Sequence, residues 1–241
     1  MSGPTPLSAP RHASLRFNRD ATATTRRFVQ LGLSEIALAA ADMPLCFAKD
    51  AGTGRFNLIA LLGLVEPANL FSADGRVNAT YLPRAAALSC FRLDAGGAGG
   101  LAIDESDAAI GAVGEPLFDG TVPAPLLERI RGGLEDLIAD VAAAAQLVER
   151  YVDQRLVRPL YLTLRQEDGH EQVLDGLYSL DATAMQDLTD RQVIDLHRAD
   201  ALLPAGVLTS SLAQVERLRQ LHNARFVPRI SEAQLAMRAD K

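Results

Sequence analysis

Hydrophobic residues recur with helical spacing through the segment Ala124–Leu156, at positions i, i+3, i+4 and i+7. This pattern predicts one helix with an apolar stripe about nine turns long, because an α-helix has 3.6 residues per turn. Pro123 and Pro125 suit the start of such a helix, where a backbone N–H has no intrahelical acceptor. The glycine pair at 132 and 133 marks the place where this helix would bend most easily.

Two pairs of apolar or alternating segments predict two β-hairpins. Leu45–Lys49 and Arg55–Leu62 are joined by five residues that include two glycines, which is typical of a hairpin connection. Leu160–Gln166 and Gln172–Ser179 form the second pair, and leucines alternate with polar residues along its first strand. This alternation indicates that one face of the second hairpin is buried.

Weaker patterns predict the remaining elements. Ser34 is expected to be the N-cap of a short helix, and Asp181 and Thr189 the N-caps of two others. The other predicted elements are a strand at Phe28–Leu31, the short helix Glu35–Asp42, strands at Ala86–Leu93 and Gly100–Ile103, and a last helix at Val207–Asn223.

Together these elements predict an α+β fold. A mixed or antiparallel sheet built from the two hairpins packs on the long helix, and a helical cluster follows toward the C-terminus. Residues 1–14 contain three prolines and few apolar residues, so we expect a loose arm. We expect residues 15–226 to form a single domain and residues 227–241 to form a charged tail that frays.

The charge balance argues against nucleic acid and against an anionic membrane surface as partners. The chain has 241 residues and a formal net charge of −6, with 30 acidic and 24 basic residues. A protein that binds either polyanion normally presents clustered Lys and Arg, and the longest basic run here is Arg26-Arg27. The apolar stretches are too short or too interrupted for a membrane span of about 20 residues. The N-terminus has no secretory signal pattern, so we expect a soluble cytoplasmic protein.

The residues that usually carry cofactors, metals or nucleophiles show no recognisable spacing. Cys46 and Cys90 lie in apolar runs, which favours buried thiols over a disulfide or a nucleophile. No histidine has a His or Cys two to four residues away, as zinc sites require. The glycine-rich segment 96–100 precedes a strand and not a helix, which favours a turn over a phosphate loop. We therefore predict no cofactor and no metal.

A cluster of acidic residues follows the predicted strand Gly100–Ile103. Its members are Asp104, Glu105, Asp107, Glu115 and Asp119. Solvated loop carboxylates are the favoured interpretation, although a paired-carboxylate hydrolase would use similar residues. The chain also lacks the G-x-S-x-G pattern of a serine nucleophile. These observations favour a protein that is not an enzyme.

Several motifs resemble those of the SapC family, which is named after a surface-layer-associated bacterial protein. The motifs are FAKDAGTGRF at 47–56, ALLGL at 60–64, NLF at 69–71, NATYLP at 78–83, GEPLFD at 114–119, GLY at 176–178 and LTD at 188–190. The similarity extends from about residue 15 to residue 221, and the segment 47–71 is its most specific part. The resemblance implies a bacterial origin and a link to the cell surface or to uptake, and it implies no known reaction.

Polar residues in and beside these motifs are the candidate ligand-binding residues, because they flank predicted strand ends and loops. They are Lys49, Asn69, Asn78, Tyr81 and Arg84. Lys49 and the C-terminal Lys241 are the only lysines in a chain that otherwise uses arginine. A lysine kept at position 49 hints that a compact ammonium group is needed there. A salt bridge of Lys49 with Asp50 or Glu66 is the structural alternative.

Three functions remain open from the sequence. The first is a non-catalytic accessory or binding protein that recognises a protein, a peptide or a small ligand through the loops around Asp50–Arg84. The second is an enzyme that acts on a small metabolite or peptide in a pocket between sheet and helix. The third is a structural homo-oligomer that buries the spare apolar face of a helix.

Overall fold

The computed structural model describes residues 3–21, 26–65, 69–73 and 76–237. Internal contacts divide the chain into two compact units. The first unit consists of residues 1–25 and 71–139, and the second of residues 26–70 and 140–241. The boundaries expected from the sequence, with one domain at 15–226, stay a prediction.

Short strands and one group of long strands make up the β structure. The strands are β1 (Thr5–Pro6), β2 (Arg16–Phe17), β3 (Phe28–Gln30), β4 (Leu45–Lys49), β5 (Phe56–Leu61), β6 (Ser72–Ala73), β7 (Arg76–Val77), β8 (Phe91–Leu93), β9 (Leu101–Ile103), β10 (Ile110–Gly111), β11 (Glu115–Pro116), β12 (Phe118–Asp119), β13 (Val122–Pro123), β14 (Val157–Gln166), β15 (Glu171–Leu180) and β16 (Ile230–Met237).

The helices include the predicted long one and a C-terminal cluster. They are α1 (Ala9–His12), α2 (Ile36–Ala39), α3 (Arg84–Ala87), α4 (Pro125–Asp153), α5 (Ala182–Gln186), α6 (Asp190–Arg198), α7 (Leu202–Ser211) and α8 (Val215–Asn223). Short 3₁₀ segments occupy Arg19–Ala21, Leu33–Glu35, Ala98–Gly100 and Leu212–Gln214. The α+β class is confirmed, and α4 continues without interruption through its two glycines.

The second unit contains a six-stranded antiparallel sheet in the order β16-β14-β15-β4-β5-β3. Both predicted hairpins are present, as β4–β5 and β14–β15, and they join where Leu177 pairs with Ala48. The ring of Phe47 on β4 lies 6.4 Å from that of Tyr151 on α4, centroid to centroid. The sheet of the two hairpins therefore packs on the long helix, as predicted.

The C-terminal segment differs from the expectation of a fraying tail. Ile230–Met237 forms an edge strand that pairs antiparallel with β14. Arg165 Nη1 lies 2.9 Å from Glu232 Oε2, so charges on the exposed face of the sheet are matched across the two strands. The charged composition thus reflects a solvated strand face, and pairing over such a sequence distance leaves no local signal. Residues 238–241 lie outside the described residues.

The predicted helix caps are right at two positions and wrong at one. The side chains of Asp181 and Thr189 accept hydrogen bonds from Thr183 N and Gln192 N, as N-caps do. Ser34, in contrast, lies inside the 3₁₀ segment, and its hydroxyl donates to Asp140 Oδ2 at 2.6 Å. A tertiary carboxylate therefore takes the place of the expected local cap.

In the first unit, the N-terminal segment is not the loose arm that we expected. β1 pairs with β9, and Leu7 is 1% exposed within the apolar core of this unit. His12 is also buried, with Nε2 3.1 Å from Glu105 Oε1. A few well-placed side chains hold this segment although its composition is poor in apolar residues.

The predicted strand Ala86–Leu93 is helical in its first part. Arg84–Ala87 forms α3 directly after Pro83, and only Phe91–Leu93 is a strand. Alanine has the highest helix propensity and proline is common where a helix begins, so the local sequence favours the helix. The sequence pattern predicts a strand here because the residues of the segment are mostly apolar.

We expect Asp42→Asn to lower the free energy of unfolding by about 1–3 kcal/mol. Asp42 is 2% exposed, and its Oδ1 lies 2.8 Å from Arg217 Nη1 within the second unit. The substitution keeps the shape and removes the buried charge that this guanidinium faces. Urea denaturation measures the change.

Asp195→Asn is the matched control, because Asp195 pairs with Arg191 at the surface of the same unit. Exposed pairs contribute little, so this variant should unfold with nearly the wild-type free energy. Equal losses in the two variants would show that the buried pair has no special role.

Candidate functional site

A cavity with a volume of about 620 Å³ lies within the first unit. Its walls come from β2, α3, α4 and the chain at the start of β11. Pockets for small molecules typically measure about 300–1,000 Å³ and combine apolar walls with a few polar groups. This cavity has both the size and the mixture of such a pocket.

The apolar part of the cavity is formed by five side chains, of which four are largely buried. They are Phe17, Ala87, Leu88, Leu126 and Ile130. Phe17 also packs edge-to-face on Phe91, with ring centroids 5.1 Å apart. Phe91 belongs to the core of this unit, so the aromatic wall of the cavity is held by that core.

One face of α4 supplies four of the lining residues. Leu126, Arg129, Ile130 and Gly133 follow the spacing i, i+3, i+4 and i+7, which places them on one side of a helix. A Cβ at Gly133 would lie 3.4 Å from Leu88 Cδ1. The glycine therefore leaves room beside Leu88 that a larger residue would occupy.

Polar groups of the lining are mainly arginines. Arg84 is the first residue of α3, Arg19 lies in the 3₁₀ segment after β2, and Arg129 lies on α4. Arg129 forms an ion pair with Glu115. Arg19 and Arg84 also interact with other groups of the protein. The cavity thus joins an apolar wall to several guanidinium groups.

Gly114 lets the chain pass close to β2 at the edge of the cavity. Its φ is +119°, and a Cβ there would lie 2.2 Å from the carbonyl oxygen of Phe17. Any other residue would clash with this backbone, so glycine is required. The close approach places Phe17 and Glu115 on the same cavity.

The five sequence-predicted site residues are divided between the two units. Arg84 lines the cavity. Asn78 and Tyr81 also belong to the first unit but are not among the lining residues, and Asn78 is exposed whereas Tyr81 is half-buried. Lys49 is exposed at the end of β4, with Nζ 5.6 Å from the Phe56 ring centroid, and Asn69 is buried in the second unit. The binding roles of all five residues stay predictions.

The salt bridges suggested for Lys49 have different outcomes. The Asp50 carboxylate accepts hydrogen bonds from Gly52 N, Thr53 N and the Thr53 hydroxyl. The Thr53 hydroxyl is the main group that holds the pKa of Asp50 below its usual value. The Asp50 carboxylate is therefore hydrogen-bonded within its own turn. Glu66 lies outside the described residues, so a salt bridge of Lys49 with Glu66 stays a prediction.

The acidic cluster contains carboxylates with local structural partners. Asp104 accepts from the Ser106 hydroxyl at 2.6 Å, and this bond lowers the pKa of Asp104. The hydrogen bond from His12 is the largest cause of the lowered pKa of Glu105, which also pairs with Arg11. Within the described part of the chain, no three His, Cys, Asp or Glu side chains converge as a metal site needs.

A family model described as SapC matches residues 7–218. The chain belongs to the SapC family. No curated protein and no solved structure matches it. The cavity residues of the first unit all fall within the matched range, so they are part of the SapC region of the chain.

The two thiols of this SapC chain are shielded from solvent. Cys46 and Cys90 are each 1% exposed, and both are free thiols. Burial raises the pKa of Cys46 to about 12 and also raises the pKa of Cys90. Since the thiolate is the reactive form, neither group is poised as a nucleophile.

No helix among the described residues is both long and apolar enough to cross a membrane. α4 has the length, but charged residues recur along it, among them Glu128, Arg131 and Glu135.

The sequence does not single out Arg19 or Arg129, and it singles out Glu115 only within the acidic cluster and the motif GEPLFD. The signal for Arg129 is its position between Leu126 and Ile130, on a face adjacent to the apolar stripe and followed by Gly133. No sequence signal links Arg19 or Glu115 to that face, because tertiary folding brings them there.

We expect neither cysteine of the folded protein to react with dithiobis-nitrobenzoate at mildly alkaline pH. Both thiols should react after denaturation in concentrated guanidinium chloride, and absorbance of the released thiolate measures each reaction. Rapid modification of one thiol in the folded protein would contradict the burial described above.

Proposed function

We propose that this SapC-family protein binds a small ligand in the cavity of the first unit and performs no reaction on it. The observation that carries this proposal is the cavity itself, with its volume of about 620 Å³ and its apolar wall beside polar side chains. Binding sites of this composition bury most of a ligand's surface and orient it through a few polar contacts.

The chemistry of the lining supports binding over catalysis. None of the described residues that line the cavity is Ser, Thr, Cys, His, Lys or Tyr. Arginine does not lose its proton in proteins, and Glu115 is the one acidic residue among the described residues of the lining. Its carboxylate is paired with Arg129. General acid–base or nucleophilic catalysis would need further groups.

The cellular part of the proposal is supported by the family alone. We propose a bacterial protein that acts in the cytoplasm as an accessory to cell-surface or uptake processes. In that role, the protein would sense or carry the small molecule during the process. A protein or peptide partner would bind the loaded protein.

A structural homo-oligomer is the second candidate, and a surface of the second unit favours it. A groove of about 570 Å³ there is lined mainly by residues of α7 and the chain after α2. Leu38 and Leu203 are 53% and 79% exposed. Light scattering that gives a multiple of the 25.8 kDa chain mass would support this candidate.

We expect Gly133→Met to abolish ligand binding without loss of the fold. The longer side chain would occupy the space beside Leu88, while methionine raises helix propensity over glycine by about 1 kcal/mol. Thermal shift measurements on a panel of fatty acids, sugars, nucleosides, amino acids and short peptides provide the test. A ligand at about 100 times its Kd stabilises the folded state by about 2.7 kcal/mol.

Gly132→Met is the matched control, because a Cβ at Gly132 has no atom within 4 Å and the residue does not line the cavity. Ligands that stabilise the wild type should also stabilise this variant, and they should not stabilise Gly133→Met. Equal binding by both variants would contradict the cavity as the site. Chemical conversion of a bound ligand, detected by mass spectrometry, would contradict a role without catalysis.

A further inference from the structure

The charge of the cavity differs from that of the whole protein. Three guanidinium groups, of Arg19, Arg84 and Arg129, line it against one carboxylate, that of Glu115, which gives a formal net charge of +2. The chain as a whole carries −6. The residues that line the cavity are therefore richer in positive charge than the chain as a whole.

The guanidinium groups stand beside the apolar wall at the open side of the cavity, since Arg19 and Arg129 are exposed and Arg84 is half-buried. Arg129 is flanked along its helix face by Leu126 and Ile130, which are 6% and 3% exposed. Arg84 is on the same short helix as Ala87, which is 2% exposed and also lines the cavity. One ligand can thus touch apolar side chains and a guanidinium at the same time.

Arginine suits a carboxylate or phosphate head better than a neutral polar group. Its charge persists at all physiological pH values, and its planar fork donates two parallel hydrogen bonds to these anions. Arg19 and Arg84 already interact within the protein, and Arg129 pairs with Glu115. An anion would therefore add to the existing polar contacts of these arginines, whereas an ammonium head would be repelled.

We propose that the ligand is an amphipathic organic anion, with an apolar chain against the wall and a carboxylate or phosphate head at the arginines. This inference rests on the proposed binding function and adds the chemical class of the ligand. Arg84 contributes directly to recognition of the head group.

Four compounds with the same eight-carbon chain test the class: octanoate, octyl phosphate, octanol and octylamine. Calorimetric titration of the full chain measures each Kd below the concentration at which the compound aggregates. We expect at least one of the two anions to bind about tenfold more tightly than octanol, with octylamine weakest. The tighter anion identifies the head group. Hexanoate should bind more weakly than octanoate by about fourfold for each methylene removed.

Variants of Arg84 test the role of its charge. Arg84→Gln should weaken binding of the preferred anion by about tenfold and change octanol binding by less than about twofold. Arg84→Lys keeps the charge and should recover part of the loss. Arg131→Gln is the control, because Arg131 pairs with Glu128 and Glu135 on α4 and does not line the cavity. Circular dichroism confirms that each variant is folded.

The outcomes separate the ligand class from the binding function. If octanol binds as tightly as both anions, or if Arg84→Gln and Arg84→Lys bind the anions like the wild type, the proposed class is wrong. The proposed class is also wrong if no octyl compound binds, while a compound of the thermal-shift panel binds the wild type and not Gly133→Met. In that case the proposed binding function still stands. If no compound of either set binds the wild type, both proposals fail.

Discussion

Along α4, apolar side chains recur every three or four residues for 29 residues, and this stripe must be shielded from water. Leu127 and Ile130 from its first half are buried in the core of the first unit. Val148 and Tyr151 from its second half are buried in the second unit, where the Tyr151 hydroxyl donates to Ala201 O at 2.6 Å. Burial of each large apolar side chain contributes about 1.5–3 kcal/mol, so both units depend on this helix.

The cavity follows from the same constraint. Arg129 and Gly133 lie beside the stripe of α4, where they border the cavity and do not belong to the apolar core. The glycine leaves volume open, and the arginine adds charge at the border of that volume. The candidate site is thus a place where the helix does not complete the packing of its unit.

Elements with strong local signals could be predicted from the sequence. The periodicity of α4, the alternation along β14 and the glycine-containing turn between β4 and β5 each depend on neighbouring residues, and each prediction is confirmed. The pairing of β1 with β9 and of β16 with β14 depends on partners far away in sequence. Such pairing leaves no mark in the composition of either segment, which explains the two wrongly predicted ends.

The candidate site divides in the same way. Arg84 could be selected because it directly follows the family-like segment 78–83 and precedes the predicted strand Ala86–Leu93. Arg19 and Glu115 lie in segments for which the sequence pattern predicts no helix or strand. Their position beside Arg84 is a property of the tertiary structure, and a single sequence contains no observable trace of it.

A crystal structure of the full chain with octanoate would show whether the cavity binds amphipathic anions. We expect electron density for the eight-carbon chain against Leu88 and Ile130. The carboxylate should lie about 2.7–3.2 Å from a guanidinium nitrogen of Arg19, Arg84 or Arg129. Octanoate bound elsewhere on the protein, with the cavity of the first unit filled by water alone, would show that the cavity is not the binding site.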